Sequence, residues 1–87
     1  FQNYPNPFNP STQISFDIPK SEFVTLRVYN LLGQDVKTLI NQSMVPGRYT
    51  VEWNGNDMLN SDVASGVYFY ELRGESFISR KKMLLIR

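Results

Sequence analysis

The side chains that most enzymes use for catalysis are either absent from this sequence or scattered along it. None of the 87 residues is histidine or cysteine, which excludes histidine acid–base catalysis, a Ser-His-Asp triad, thiolate chemistry and a structural zinc site. The eight aspartates and glutamates show no pairing suited to glycoside hydrolysis. No phosphate-binding glycine motif is present. The sequence therefore predicts a protein that is not an enzyme.

One polar loop contains the oxygen atoms that a cation would need. Residues 54–62 supply four candidate metal ligands: Asn54, Asn56, Asp57 and Asp62. The loop departs from the EF-hand pattern, because Met58 stands where an oxygen ligand is required and no glutamate closes the loop. In the alternative interpretation, these side chains bond to neighbouring backbone groups and shape the turn. We expect the alternative and no cofactor, with calcium as the one ion to be tested.

Composition and charge describe one small globular domain. Hydrophobic residues make up 41% of the chain and aromatic residues 14%, so phenylalanine and tyrosine must supply much of the core. The net charge of +1 gives no field that would attract nucleic acid. No apolar run approaches the roughly 20 residues of a membrane-spanning helix. Neither nucleic acid nor a transmembrane segment is therefore expected.

Apolar and polar residues alternate along most of the chain, which is the pattern of β-strands with one buried face. The alternation is clearest at residues 14–18, 24–28, 49–53 and 68–72, with a weaker strand at 36–40 and a longer final one at 77–86. Turn signals at Gly33, at Pro46-Gly47 and at Gly74-Glu75 separate the strands. Together these features predict an all-β, immunoglobulin-like antiparallel sandwich of about seven strands.

Three aromatic residues are assigned to the architecture of this sandwich. The segment around Gly66, Val67 and Tyr68 resembles the approach to the penultimate strand of immunoglobulin-like domains. In that position the hydroxyl of Tyr68 would close a corner, and Tyr70 would enter the core two residues later. Trp53 would be the large central side chain.

The first eleven residues form a separate element in the sequence. Prolines at positions 5, 7 and 10 forbid a helix and restrict the residues before them to extended geometry. Tyr4 and Phe8 add large apolar groups, which a solvated linker does not need. We therefore predict that residues 1–11 are a proline-rich strap that packs on the sandwich formed by residues 12–87.

Several segments together resemble a known family. They are residues 3–10 (Asn-Tyr-Pro-Asn-Pro-Phe-Asn-Pro), residues 28–36, the Trp53-Asn54-Gly55-Asn56-Asp57 stretch, residues 63–70 and the closing Lys81-Lys82-Met83-Leu84-Leu85-Ile86-Arg87. They resemble the C-terminal sorting domain of type IX secretion cargo. The later segments are also similar to the immunoglobulin-like domain of flagellar hook-capping proteins. The resemblance covers essentially the whole chain.

The resemblance implies a non-catalytic, C-terminal secretion signal that also anchors a larger secreted protein at the cell surface. Its partners would be the outer-membrane secretion machinery and the upstream domains of the same polypeptide. The protein would be exported to the outer-membrane surface or the extracellular space. By the same resemblance, the recognition residues would lie in the final strand and the basic end, at Lys81, Lys82 and Arg87.

Other interpretations of these residues remain open. Arg80, Lys81 and Lys82 would also serve simply to keep an edge strand soluble. Phe23, Tyr29 and Phe69 alternate out of phase with the core and would suit an accessory glycan-binding module, or would instead cover a second packing surface. A structural immunoglobulin-like module is a further alternative, and the sequence leaves the oligomeric state open.

Overall fold

Six β-strands form the framework of the part of the chain that the structure describes. The computed structural model describes residues 11–86, and all the strand pairs in it are antiparallel. The strands are β1 (Thr12–Ile18), β2 (Glu22–Asn30), β3 (Asp35–Met44), β4 (Gly47–Trp53), β5 (Gly66–Arg73) and β6 (Ile78–Leu85). The predicted all-β class is confirmed. Within residues 11–86 no helix is long and apolar enough to cross a bilayer.

The strands are divided between two sheets. β1 pairs with β4 in a two-stranded sheet, whereas the four-stranded sheet has the order β3-β2-β5-β6. The chain crosses from one sheet to the other after β1, after β3 and after β4, so β2–β3 and β5–β6 are the hairpins. The weaker strand predicted at residues 36–40 is longer in the structure, where β3 covers Asp35–Met44. The register between β3 and β2 shifts at two points.

The core lies between the two sheets and contains side chains from both. Ile14 from β1 and Trp53 from β4 are buried in one cluster with Leu26 and Met83 of the larger sheet. The Trp53 ring meets the Tyr68 ring edge-on, with 5.4 Å between centroids. Trp53 is fully buried, as predicted for the central side chain. A single cluster shared by two antiparallel sheets makes the molecule a sandwich.

The predicted tyrosine corner is present, and it has a counterpart. The Tyr68 hydroxyl donates to the Ala64 carbonyl oxygen at 2.6 Å, and the Tyr49 hydroxyl donates to the Val45 carbonyl oxygen at 2.7 Å. In both cases the acceptor lies four residues earlier. Each tyrosine follows a strand-opening glycine by two residues, and both glycines have φ of 155°, which L side chains rarely adopt. The repeated Gly-x-Tyr pattern was the sequence signal for the second corner.

The part of the chain that the structure describes contains six strands, against a prediction of about seven for the whole chain. Residues 54–65, between β4 and β5, contain only an isolated bridge between Asn56 and Asp62. The Asn, Asp and Gly residues of this segment form turns that bond to the local backbone, which competes with a sheet ladder. The segment is therefore a loop, and residues 11–86 contribute six strands to the two sheets.

The predicted strap falls almost entirely outside the described residues. Residues 1–10 are not described, and Ser11 is the first residue that is. The packing of Tyr4 and Phe8 against the sandwich therefore stays a prediction. The described part of the predicted sandwich, residues 12–86, folds around the single core above.

Candidate recognition surface

Strand β6 forms one edge of the four-stranded sheet. It pairs with β5 on one side, and within residues 11–86 no strand pairs with its other side. An edge of this kind is a template on which an extended segment of a partner adds a further strand. Ile78 and Leu84, on the side of β6 that faces away from the core, are 50% and 40% exposed. The edge therefore offers both backbone groups and apolar surface.

The two predicted recognition residues that the structure describes, Lys81 and Lys82, lie on opposite faces of β6. Lys82 lies opposite Phe69 and is exposed on the outer face of the sheet, whereas Lys81 lies opposite Tyr70 and is half-buried. Successive residues of a strand point to opposite faces, so these two ammonium groups do not form one patch. Arg87 lies outside the described residues. The roles of all three residues stay predictions.

A buried carboxylate organises the outer face of the four-stranded sheet. Glu71 on β5 is 4% exposed. Arg80 Nε donates to Glu71 Oε2 at 2.6 Å, and Arg73 Nε donates to Glu71 Oε1 at 3.3 Å. Desolvation by burial is the largest single effect and raises the pKa of Glu71, but the hydrogen bonds and charges of the two arginines outweigh it, so this pKa lies below its ordinary value. The carboxylate thus stays ionised and holds both guanidinium groups in place.

An open groove of about 610 Å³ runs along the same outer face. Its lining includes Arg27, Tyr29, Phe69, Glu71, Arg73 and Arg80; we call it the outer groove. Tyr29 and Phe69 are direct cross-strand neighbours in the register of β2 and β5. Phe23 lies six residues from Tyr29 along β2, about 20 Å away at the usual strand rise. Of the three aromatic residues considered for glycan binding, Tyr29 and Phe69 therefore lie together in the groove, and Phe23 lies outside it.

The polar loop at residues 54–62 is held by hydrogen bonds within the loop and by others from Lys37 on β3. Asp57 Oδ1 accepts from the backbone N–H groups of Leu59 and Ser61 at 2.9 and 3.0 Å. The Lys37 ammonium donates to Asn60 Oδ1 at 2.9 Å and to the Asp57 carbonyl oxygen at 3.3 Å. Of the other candidate ligands, Asn54 and Asp62 are exposed and Asn56 is half-buried. These contacts join side chains of the loop to backbone and side-chain groups nearby. The expectation that the loop holds no cofactor, with calcium as the ion to be tested, stays a prediction.

Sequence reasoning missed a second buried carboxylate, at the start of β2. Glu22 is 6% exposed and accepts hydrogen bonds from the backbone N–H groups of Glu75 and Ser76 at 2.7 and 3.0 Å. The Ser76 hydroxyl also donates to it at 3.1 Å. Glu22 thus ties the β5–β6 turn to β2. Its position in phase with the inward-facing Val24 was the available sequence signal.

These features define a class of protein. The described residues form an immunoglobulin-like sandwich. Its outer strands are β3 and β6 in the larger sheet and β1 and β4 in the smaller one, and within residues 11–86 no group of three or more acidic, histidine or cysteine side chains is placed to hold a metal.

Comparison with known proteins identifies the family. Residues 2–86 match the family described as the secretion system C-terminal sorting domain, and the chain belongs to this family. Domains of this family are sorting signals that mark proteins for type IX export to the cell surface or the extracellular space. No curated protein matches the sequence significantly. The resemblance seen in the sequence is confirmed.

Two solved structures share the fold. The structure of dimeric latent PorU from Porphyromonas gingivalis is similar with a TM-score of 0.72 and 17% identity, over 98% of this chain and 9% of the PorU chain. The structure of FlgD from Xanthomonas campestris, described for its hook capping in flagellar assembly, has a TM-score of 0.66 and 18% identity, over 91% of this chain and 58% of that one. This chain thus spans only part of either protein, and the similarity is one of fold.

Proposed function

We propose that this chain is the non-catalytic address of a larger exported protein, that the type IX translocon reads it at the β6 edge, and that it anchors its protein at the cell surface. Membership of the sorting-domain family supports the address. The position of β6 at the edge of the larger sheet is the observation that carries the docking mode.

The docking would proceed by strand addition. Backbone N–H and C=O groups along the open side of β6 supply the hydrogen bonds, and alternate side chains supply specificity. Lys82, exposed on the outer face beside this edge, would meet an acidic group of the partner. Lysines on an edge also oppose indiscriminate pairing between copies of the same strand, so one residue serves both selectivity and solubility.

A reporter fusion tests the address. The 87-residue chain, fused to the C-terminus of a periplasm-directed reporter, is expressed in a host with the type IX apparatus and in a host that lacks the translocon. The reporter is expected on the surface of the first host and in the periplasm of the second. Retention in the periplasm of both hosts would overturn the address and leave the structural-module alternative.

Charge reversal on the edge tests the docking mode. Lys82→Glu is expected to lower export, because it places a like charge opposite the acidic partner group. Arg48→Glu is the matched control, since its side chain is 79% exposed on the other sheet. Thermal unfolding of both variants establishes that they fold. Equal export of the two variants would contradict β6 as the docking edge.

The location of the exported reporter tests the anchoring role. Release of the reporter into the medium after export would contradict that role.

A further inference from the structure

The outer groove combines cationic and aromatic side chains on the outer face of the larger sheet, over β2 and β5 and beside the β6 edge. Three arginines line it against a single glutamate, while the whole chain has a net charge of only +1. Lys82, next to Phe69 in the sheet register, adds a further positive charge nearby. Positive charge is therefore concentrated on this face, and a ligand that complements it must be anionic.

Two of the three arginines are pre-organised for such a ligand. Arg73 and Arg80 both use Nε to bind Glu71, which leaves their Nη N–H donors for other acceptors. Their side chains are 53% and 67% exposed, so these donors are accessible from the groove. Arg27 lies opposite Glu71 in the register and forms no ion pair within residues 11–86. Forked N–H donors of this kind match the two oxygens of a carboxylate.

The location on a sheet face decides between a peptide and a sugar chain. The groove lies over β2 and β5, whose backbone groups are already bonded to neighbouring strands on both sides. A peptide recognised by strand addition finds no free backbone there. A polysaccharide brings its own hydroxyl and carboxylate groups and stacks its rings on aromatic side chains, which the Tyr29–Phe69 pair provides. The volume of about 610 Å³ lies within the range of ligand sites.

We infer that the outer groove binds an acidic polysaccharide built of uronic acids, with Arg27, Arg73 and Arg80 on its carboxylates and Tyr29 and Phe69 under its sugar rings. This site lies on the sheet face rather than along the backbone edge of β6, although β6 contributes Arg80 to it, and it assigns the domain a second contact. A domain that holds a surface polysaccharide would keep its protein at the cell surface after export.

Calorimetric titration of the 87-residue chain with oligogalacturonate tests the inference. Saturable binding is expected, weakening as salt rises from about 50 mM to about 300 mM because the contacts are charged. A neutral oligosaccharide of the same length should not bind, because it lacks carboxylates. Poly-glutamate should bind more weakly, because it lacks rings that stack on Tyr29 and Phe69. Equal binding of either control, or no binding of oligogalacturonate, would overturn the inference.

Matched variants locate the site. Arg27→Gln is expected to weaken binding about tenfold, the effect of losing one charge-assisted contact. Arg48→Gln removes the same charge from the other sheet and should change affinity by less than about twofold. Tyr29→Ala should also weaken binding about tenfold, whereas Phe23→Ala, outside the groove, should not. If Arg27→Gln and Arg48→Gln had equal effects, or Tyr29→Ala and Phe23→Ala had equal effects, the outer groove would not be the binding site. A dimer in sedimentation that Tyr29→Ala abolishes would show that the groove is an interface between two copies of the chain and would also contradict the inference.

Discussion

At the scale of single residues, the two tyrosine corners differ in how deeply they lie. Tyr68 is buried at 7% exposure and packs against Trp53, whereas Tyr49 is half-buried and stacks on Phe16 with 5.8 Å between ring centroids. Both donate a hydroxyl proton to a carbonyl four residues earlier. A hydrogen bond away from water contributes more than one that solvent can replace. The corner at Tyr68 should therefore matter more to stability.

Tyr68→Phe tests this difference, because it removes the hydroxyl and keeps the ring. We expect a loss of about 1–1.5 kcal/mol in the free energy of unfolding, which for a domain of this size lowers Tm by roughly 4–12 °C. Tyr49→Phe, the matched control, should cost less. Thermal unfolding of the parent chain and of the two variants measures the difference. An unchanged Tm for Tyr68→Phe would show that the Tyr68 hydroxyl does not contribute to stability.

At the scale of elements, the β5–β6 hairpin is fastened to β2 by one carboxylate. Glu22 accepts hydrogen bonds from residues 53 and 54 positions further along the chain. Gly74 leaves the space that this contact needs, since an added Cβ would lie 2.7 Å from Glu22 Oε1 and would clash with the Phe77 ring. The turn that leads into the docking edge is thus held by this long-range contact as well as by its own hydrogen bond, from the Gly74 N–H to the Phe77 carbonyl oxygen at 2.9 Å.

Glu22 also makes stability depend on pH. Desolvation is the largest single effect and raises its pKa, but hydrogen bonds from Ser76 and Glu75 and the charge of Lys20 together lower it below the ordinary value of 4.5. A carboxyl group whose pKa is lower in the folded state than in the unfolded state stabilises the fold at pH values above its unfolded-state pKa. That contribution disappears as the pH falls through the lowered folded value.

Glu22→Gln is therefore expected to be less stable than the parent near neutral pH and to approach it in acid. Urea unfolding at about pH 7 and about pH 3 measures the two differences. Glu52→Gln, which changes an exposed glutamate on β4, should leave stability within about 0.5 kcal/mol. A Glu22→Gln deficit that stays constant across this pH range would contradict the ionised-carboxylate account.

At the scale of the whole molecule, the sandwich is small and has little stability in reserve. A chain of 87 residues buries roughly 60–65% of its unfolded surface. Among residues 11–86, two strands, β1 and β4, form the smaller sheet. A segment that covered further apolar surface would add a large fraction of the total. The predicted strap at residues 1–11 is the candidate segment in the sequence, through Tyr4 and Phe8.

Deletion of residues 1–10 tests the strap. If Tyr4 and Phe8 are buried in the folded chain, each contributes roughly 1.5–3 kcal/mol, so the truncated protein should unfold at lower urea concentration and lower temperature. Replacing both aromatics with serine in the full-length chain separates their burial from the effect of chain length. Unchanged unfolding in both proteins would show that the segment is a free tether.

Much of the candidate surface was beyond sequence reasoning for one physical reason. Lys81 and Lys82 are adjacent in sequence, but because successive side chains of a strand alternate, they lie on opposite faces of the sheet. Glu71 and Arg80 are nine residues apart and meet because β5 and β6 pair in one register. The period-two pattern says which residues share a face of one strand. It does not say which strands are neighbours.

The sequence by itself determined the strands, their buried faces, the corner at Tyr68 and the family, because alternation, turn chemistry and motifs are local properties of the chain. Only the tertiary structure decided that β6 is an edge, that Glu22 fastens a distant turn and that three arginines line one groove with Tyr29 and Phe69. These outcomes depend on strand order and register. Both are set by contacts between residues far apart in the chain, which no short window of sequence contains.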